Sequence, residues 1–209
     1  SMPVVASMRE KIGDAALERL LTRGQSEVSI RSLAGDLGVT PMALYRYFKN
    51  KEELQLALLD AGFRVFGEYL DRHMGRGTAA ERARLLADGF FAFAIEKSAY
   101  FELIFLSSRS LPGLRTRREV QEAARPTYVA LRNAVRDCID DGVIPAGDLD
   151  ATAQGVLAFC VGYAALYISG NMGWSPAEAR TAFRDAFATH LANLSREPTA
   201  ARARRKRKA

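Results

Sequence analysis

The sequence predicts an all-α fold, and three features carry that prediction. Apolar residues recur at helical spacing along most of the chain, and no run alternates apolar and polar residues as a half-buried strand does. Glycine, proline and small capping residues fall at helix-length intervals. With 209 residues, 48% of them hydrophobic and 26% charged, the chain suits one or two globular domains and can bury a core without staples.

The first helix covers about 7 to 23, where Ile12, Ala15, Ala16, Leu20 and Leu21 form an apolar stripe that stops before Gly24. In SIRSLAGDLG, Ser29 is placed to cap a helix of about two turns that closes at Gly38. Thr40 then caps a second short helix over 41 to 48, with Pro41 at its first position, where a missing N–H costs nothing. Asn50 and Glu53 form an Asn-x-x-Glu variant of the capping box at the head of a long helix reaching about Met74.

Thr78 and Glu81 cap a helix to about Lys97, a shorter one runs from Ala99 to about Ser107, and SLPGL at 110–114 breaks the chain. A long helix over about 116 to 141 contains Pro126, which removes a backbone donor and predicts a bend. After DGVIPAGD comes a very apolar helix over about 149 to 172, and Ser175, Pro176 and Glu178 cap a last one to about Leu194. The sequence has no internal repeat.

Several function classes lose support from what the sequence lacks. Cys138 and Cys160 lie in apolar helical stretches and read as small buried residues. His73 and His190 are far apart, without Cys or acid neighbours at ligand spacing, so no metal site or cofactor is expected. No glycine-rich phosphate loop, GxSxG or HExxH occurs, and nothing announces an enzyme. The N-terminus lacks the regions of a signal peptide, and no apolar run is read as a membrane span, which places the expected protein in the cytoplasm. Ser1-Met2 resembles the remnant of a cleaved expression tag and is left out of the fold argument.

The net charge of +6 is unevenly placed. From Arg196 onward seven Lys or Arg face one acid, Glu197, whereas residues 1 to 195 hold 23 basic and 23 acidic residues. The basic tail has three readings: a nonspecific DNA arm, an inert solubilising end or a targeting signal. Its charge says nothing about what the folded body binds.

Function is concentrated in the two short helices at 29 to 37 and 41 to 48, joined by Gly38-Val39-Thr40 as a helix-turn-helix. At about 100° per residue, Leu44 and Phe48 lie within about 40° of each other and form a buried knob, and Pro41 lies beside them. Met42 and Arg46 point away from it with Ala43 close by, and Tyr45 and Tyr47 fall on opposite shoulders. Such a face suits the DNA major groove. Arg46 offers a fork to a guanine edge, Met42 and Ala43 suit thymine methyls, and the two phenols and Thr40 suit phosphates. Lys51, at a helix start where a cation opposes the macrodipole, is explained by an external anion or by plain solvation. Between 29 and 51, Arg31, Arg46, Lys49 and Lys51 face a single acid, Asp36. A plain αα-hairpin is the competing interpretation.

The stretch SIRSLAGDLGVTPMALYRYFKNKEEL resembles the DNA-binding signature of the TetR family of transcriptional regulators, with Ala34, the Gly38-Val39-Thr40 turn, Leu44-Tyr45, Tyr47-Phe48 and Lys51 to Leu54 in matching positions. The match covers about residues 8 to 60. Beyond it only the all-helical architecture agrees, and GVLAFCVGYAALYISGNMG lacks the Trp and His of a pattern found in one branch of the family.

The resemblance implies an N-terminal three-helix helix-turn-helix DNA-binding domain over 1–50, a C-terminal helical dimerisation and ligand-binding domain over 51–195, and the basic tail over 196–209. It implies a homodimer that binds a palindromic double-stranded DNA operator and is released by a small effector, most often as a repressor. The DNA-binding residues are then Arg31, Thr40, Pro41, Met42, Ala43, Tyr45, Arg46, Tyr47 and Lys51. The apolar helix at 149–172 and the stripe from Ala179 to Leu194 offer material for a dimer, although burial within one protomer would serve as well. Aromatic residues that could line an effector cavity are Phe90, Phe93, Phe105, Tyr128, Phe159 and Tyr163, for most of which ordinary core packing is the better expectation. A cavity of this kind favours an apolar or aromatic effector. The alternative function is a helical small-molecule-binding protein or enzyme without specific DNA binding.

Overall fold

The computed structural model describes residues 7–23, 27–106, 113–114 and 116–195, and the basic tail lies outside them. The described residues form helices and turns with no strand. The helices are α1 (Met8–Arg23), α2 (Ile30–Asp36), α3 (Pro41–Tyr45), α4 (Lys51–His73), α5 (Ala79–Glu96), α6 (Ser98–Phe101), α7 (Arg118–Asp140), α8 (Leu149–Ile168) and α9 (Pro176–Leu194). A single π-helical turn, Glu102–Leu106, continues from α6.

The predicted caps are present. Thr78 and Glu81 exchange backbone-to-side-chain hydrogen bonds ahead of α5, and Ser175 and Glu178 do so ahead of α9. At α4 the pattern is shifted by one residue. Asn50 Oδ1 accepts from the Glu53 N–H at 2.8 Å, but the Glu53 carboxylate accepts from Lys49 rather than from Asn50. Helix α8 ends at Ile168, four residues before the predicted stop, because Gly170 (φ 75°) and Gly173 (φ 63°) take left-handed conformations.

The chain forms two compact units that differ in composition from the expected division at residue 50. Among the described residues, one holds those up to Val65 together with those from Lys97 to Arg125, and the other holds Phe66–Glu96 and those from Pro126 to Ser195. In the first, Ile12, Ala16, Leu20, Leu33, Leu44, Phe48, Leu54 and Leu58 share one core, so the start of α4 completes the packing that α1 to α3 begin. In the second, Phe66, Tyr69 and Phe93 pack ring against ring, while Phe91 stacks on Phe183 at 4.3 Å. Gly89 is the close-approach point there: a Cβ would stand 2.9 Å from the Tyr69 carbonyl oxygen.

One correction concerns α8. It is 20 residues long and holds an 18-residue stretch of mean hydropathy 1.5, which makes it long and apolar enough to cross a membrane by length and composition, contrary to the expectation that no such segment exists. Only 22% of that stretch is buried within the chain, so much of an apolar helix faces outward.

Candidate nucleic-acid interface

The interface is built on the α2 turn. Ser29 caps α2 through a capping box with Ser32, and Leu33 and Ala34 bury the inner face. At the other end the Val39 N–H donates to the Ala34 carbonyl at 3.0 Å and Gly38 N–H to Gly35 at 3.3 Å. These are the two bonds of a Schellman turn, which places Gly38 in the left-handed region at φ 65°. Glycine is required there because a side chain crowds its own carbonyl in that conformation.

Thr40 then caps α3, its hydroxyl accepting from the Ala43 N–H at 3.3 Å, and Pro41 takes the first helical position. Leu44 and Phe48 are 0% and 2% exposed, whereas Met42 is 74% exposed, Tyr45 49% and Tyr47 37%. Arg31, Thr40, Pro41 and Arg46 are also exposed, while Ala43 and Lys51 are half-buried. The division of α3 into a buried knob and an outward face is therefore as the helical wheel predicts.

The helix itself is shorter than predicted. It ends at Tyr45, with Arg46 as its C-cap, instead of running to Phe48. Tyr47 and Phe48 both donate to the Leu44 carbonyl, at 2.9 and 3.1 Å, and the next amide, Lys49, goes to the Glu53 carboxylate. Competition from α4 for that amide stops the α3 ladder. Tyr47 consequently sits in the exit turn rather than on a helical flank.

Two arginines of α1 that the sequence reading passed over hold this unit together. Arg19 forms a two-pronged pair with Asp36 of α2 at 2.8 and 2.7 Å, and the paired guanidinium holds the Asp36 carboxyl below the usual carboxylate range. Since Asp36 is the sole acid between residues 29 and 51, this pairing leaves Arg31, Arg46, Lys49 and Lys51 as the charges that segment shows. Arg9 donates from Nη1 to the Tyr47 carbonyl at 3.0 Å, and its guanidinium carbon lies 4.4 Å from the centre of the Phe48 ring. No sequence signal marks either contact, because both join residues far apart in the chain.

The six predicted effector residues are divided between the two units. Phe105 belongs to the first unit, where it packs on Phe101 at 5.3 Å. In the second unit Phe90 and Phe93 are buried against Phe66. Tyr128 donates toward Asp150 at 3.4 Å, and Phe159 and Tyr163 join Phe183 in an aromatic cluster. His190 stacks on Phe159 at 4.3 Å, and burial lowers its pKa. A cleft of about 590 Å³ in the first unit is lined by Arg9, Phe48, Leu54, Ala57 and Tyr100 among others, and by none of the six. Among the described residues no cluster of His, Cys, Asp and Glu has metal-ligand geometry.

Comparison with known families agrees with this architecture over most of the chain. Residues 12–58 match the family described as bacterial regulatory proteins, tetR family, and residues 83–190 match the tetracyclin repressor-like C-terminal domain. The chain belongs to the TetR family. The family is one of transcriptional regulators, in line with the expected class of DNA-binding regulator.

Among individual relatives, the HTH-type transcriptional regulator BetI of Brucella anthropi is 33% identical over 79 residues, 38% of this chain and 40% of that protein. AcuR of Cereibacter sphaeroides is 35% identical over 71 residues, 34% of this chain and 32% of that protein. The chain thus matches less than half the length of these curated relatives. Among solved structures, a protein of unknown function from Rhodococcus sp. RHA1 has a TM-score of 0.73 at 26% identity, covering 94% of this chain and all of that one. FadR of Bacillus subtilis, solved with stearoyl-CoA, shares the fold with a TM-score of 0.71 at 20% identity, covering 85% of this chain and 96% of that one.

Proposed function

We propose that this TetR-family regulator acts as a cytoplasmic homodimeric repressor that reads a palindromic operator through α3 and leaves it when a small apolar effector binds. The face division of α3 carries the proposal: a knob of Leu44 and Phe48 seats the helix in its unit, and Met42, Tyr45, Arg46 and Tyr47 stand outward. Arg46 reads a guanine edge with its forked donors, and Met42 and Ala43 meet thymine methyls. Tyr45, Tyr47, Thr40, Pro41, Arg31 and Lys51 approach the backbone and fix the register.

Dimerisation is supported by α8. Leu166 on it is 49% exposed, and the helix carries small residues at Gly155, Ala158 and Gly162 on its outward side, which permit close packing with a second helix. A two-fold pair of heads calls for two half-sites on one DNA face, separated by whole helical turns. The apolar effector is drawn from the resemblance to the family, and a fold neighbour solved with an acyl thioester ligand is consistent with that chemistry. Release requires the effector to favour head positions that do not fit the operator.

The test is selection of bound fragments from random duplexes, followed by light scattering of the protein with and without the recovered site. A recovered two-fold site bound by a dimer is the expected result. Recovery of no preferred sequence, or a monomer at micromolar concentration, overturns the reading.

A further inference from the structure

Helix α3 ends at Tyr45, and the turn after it is held on one side by the Tyr47 and Phe48 amides, which donate to the Leu44 carbonyl, and on the other by contacts outside the helix. The Tyr47 carbonyl finds its donor in Arg9, on the first turn of α1, 38 residues away in sequence. The same guanidinium covers the face of Phe48, whose ring is 2% exposed and anchored in the core. Arg9 therefore ties the exit turn of α3 to a fixed point through two contacts of different kinds. Its location near the N-terminus of α1, where a cation opposes the macrodipole, gives no local reason for an arginine there.

We propose that Arg9 is a positioning residue for sequence-specific DNA binding, holding the Arg46–Tyr47 turn at the angle from which α3 reads bases. The proposal rests on the DNA-reading role of α3 given above. Only a planar guanidinium can donate in its plane to a carbonyl while its face covers a ring, and a lysine ammonium cannot do both. Nonspecific binding depends on summed charge and tolerates a displaced turn, whereas base contacts demand alignment. Loss of the clamp therefore affects the two kinds of binding unequally.

Arg9→Met and Arg9→Lys are compared with the unaltered protein on the selected operator and on a scrambled duplex across a salt series. Amide hydrogen exchange of the DNA-free proteins is followed in parallel, with circular dichroism to confirm that each variant is folded. Operator affinity is expected to fall about five- to twentyfold in both variants, with scrambled binding and the salt slope unchanged. The Tyr47 and Phe48 amides exchange faster, and the Leu33 and Leu37 amides of α2 do not. Full recovery in Arg9→Lys assigns the effect to charge alone and overturns the clamp. So does equal loss on both duplexes with a slope reduced by about one, the signature of a phosphate contact. Unchanged exchange at Tyr47 and Phe48 overturns it as well. If the unaltered protein selects no sequence, the DNA reading fails, and the exchange data still decide whether Arg9 holds the turn.

Discussion

Gly35 and Gly38 lie three residues apart and give opposite responses to the same substitution. A Cβ added at either meets nothing within 4 Å, so alanine causes no clash at either site and only the backbone term remains. Gly35 is inside α2, where alanine is favoured over glycine by about 0.5–1 kcal/mol. Gly38 sits at φ 65°, where an L side chain costs about 1–2 kcal/mol. Gly35→Ala is therefore expected to stabilise and Gly38→Ala to destabilise, with a separation of about 1.5–3 kcal/mol. For a chain of this size about 1 kcal/mol moves the midpoint by about 2–4 °C if the chain melts as one. Exchange at the Leu37 and Val39 amides, both of which bond within α2 or its turn, reports on this unit alone. Shifts of the same sign in the two variants, or a neutral Gly38→Ala, would refute the left-handed turn as the joint of the two helices.

Arg46→Ala is expected to relax preference at one base-pair position by roughly 1–3 kcal/mol, whereas Tyr47→Ala weakens operator and scrambled DNA alike. Equal losses on both duplexes for Arg46→Ala would remove its base-reading role. Asp36 has its pKa lowered by the Arg19 hydrogen bonds, so its folded value lies below its unfolded one. Its contribution is present above the ordinary carboxylate range and is lost as pH falls through the folded value. Urea midpoints measured from pH 6 down to pH 3 should fall less steeply in Asp36→Asn than in the unaltered protein, and a parallel fall counts against the pair. Gln55 is 5% exposed, and among the described residues its Nε2 has no hydrogen-bond partner. Gln55→Met should raise stability by about 1 kcal/mol, since it removes an unmet donor at nearly constant volume, and a lowered melting temperature contradicts that account.

Most helix bounds could be read in the sequence because their causes are local. Ser29, Thr40, Thr78 and Ser175 cap the helices that follow them through groups two or three residues away, and Gly38 terminates α2 through its own backbone preference. The buried pair Leu44 and Phe48 was equally legible, since one turn of helix places both on one face. What failed was the extension of that wheel past Tyr45, because the stop comes from Glu53 of the next helix, which captures the Lys49 amide. The partners of the body's aromatic residues were illegible for a similar reason. Spacing says that Phe90, Phe93 and Phe105 are buried or half-buried, but not which neighbours receive them, and Phe105 lies in a different unit from the others.

By itself the sequence determined the all-helical class, the helix-turn-helix, its outward residues and hence the family. These follow from intervals of a few residues, where backbone preference and helical periodicity act without help. Tertiary structure alone decided that Arg19 neutralises Asp36 and that Arg9 reaches the Tyr47 carbonyl. A guanidinium finds such partners only after α1 has packed against the helices it closes, and no spacing along the chain encodes that meeting.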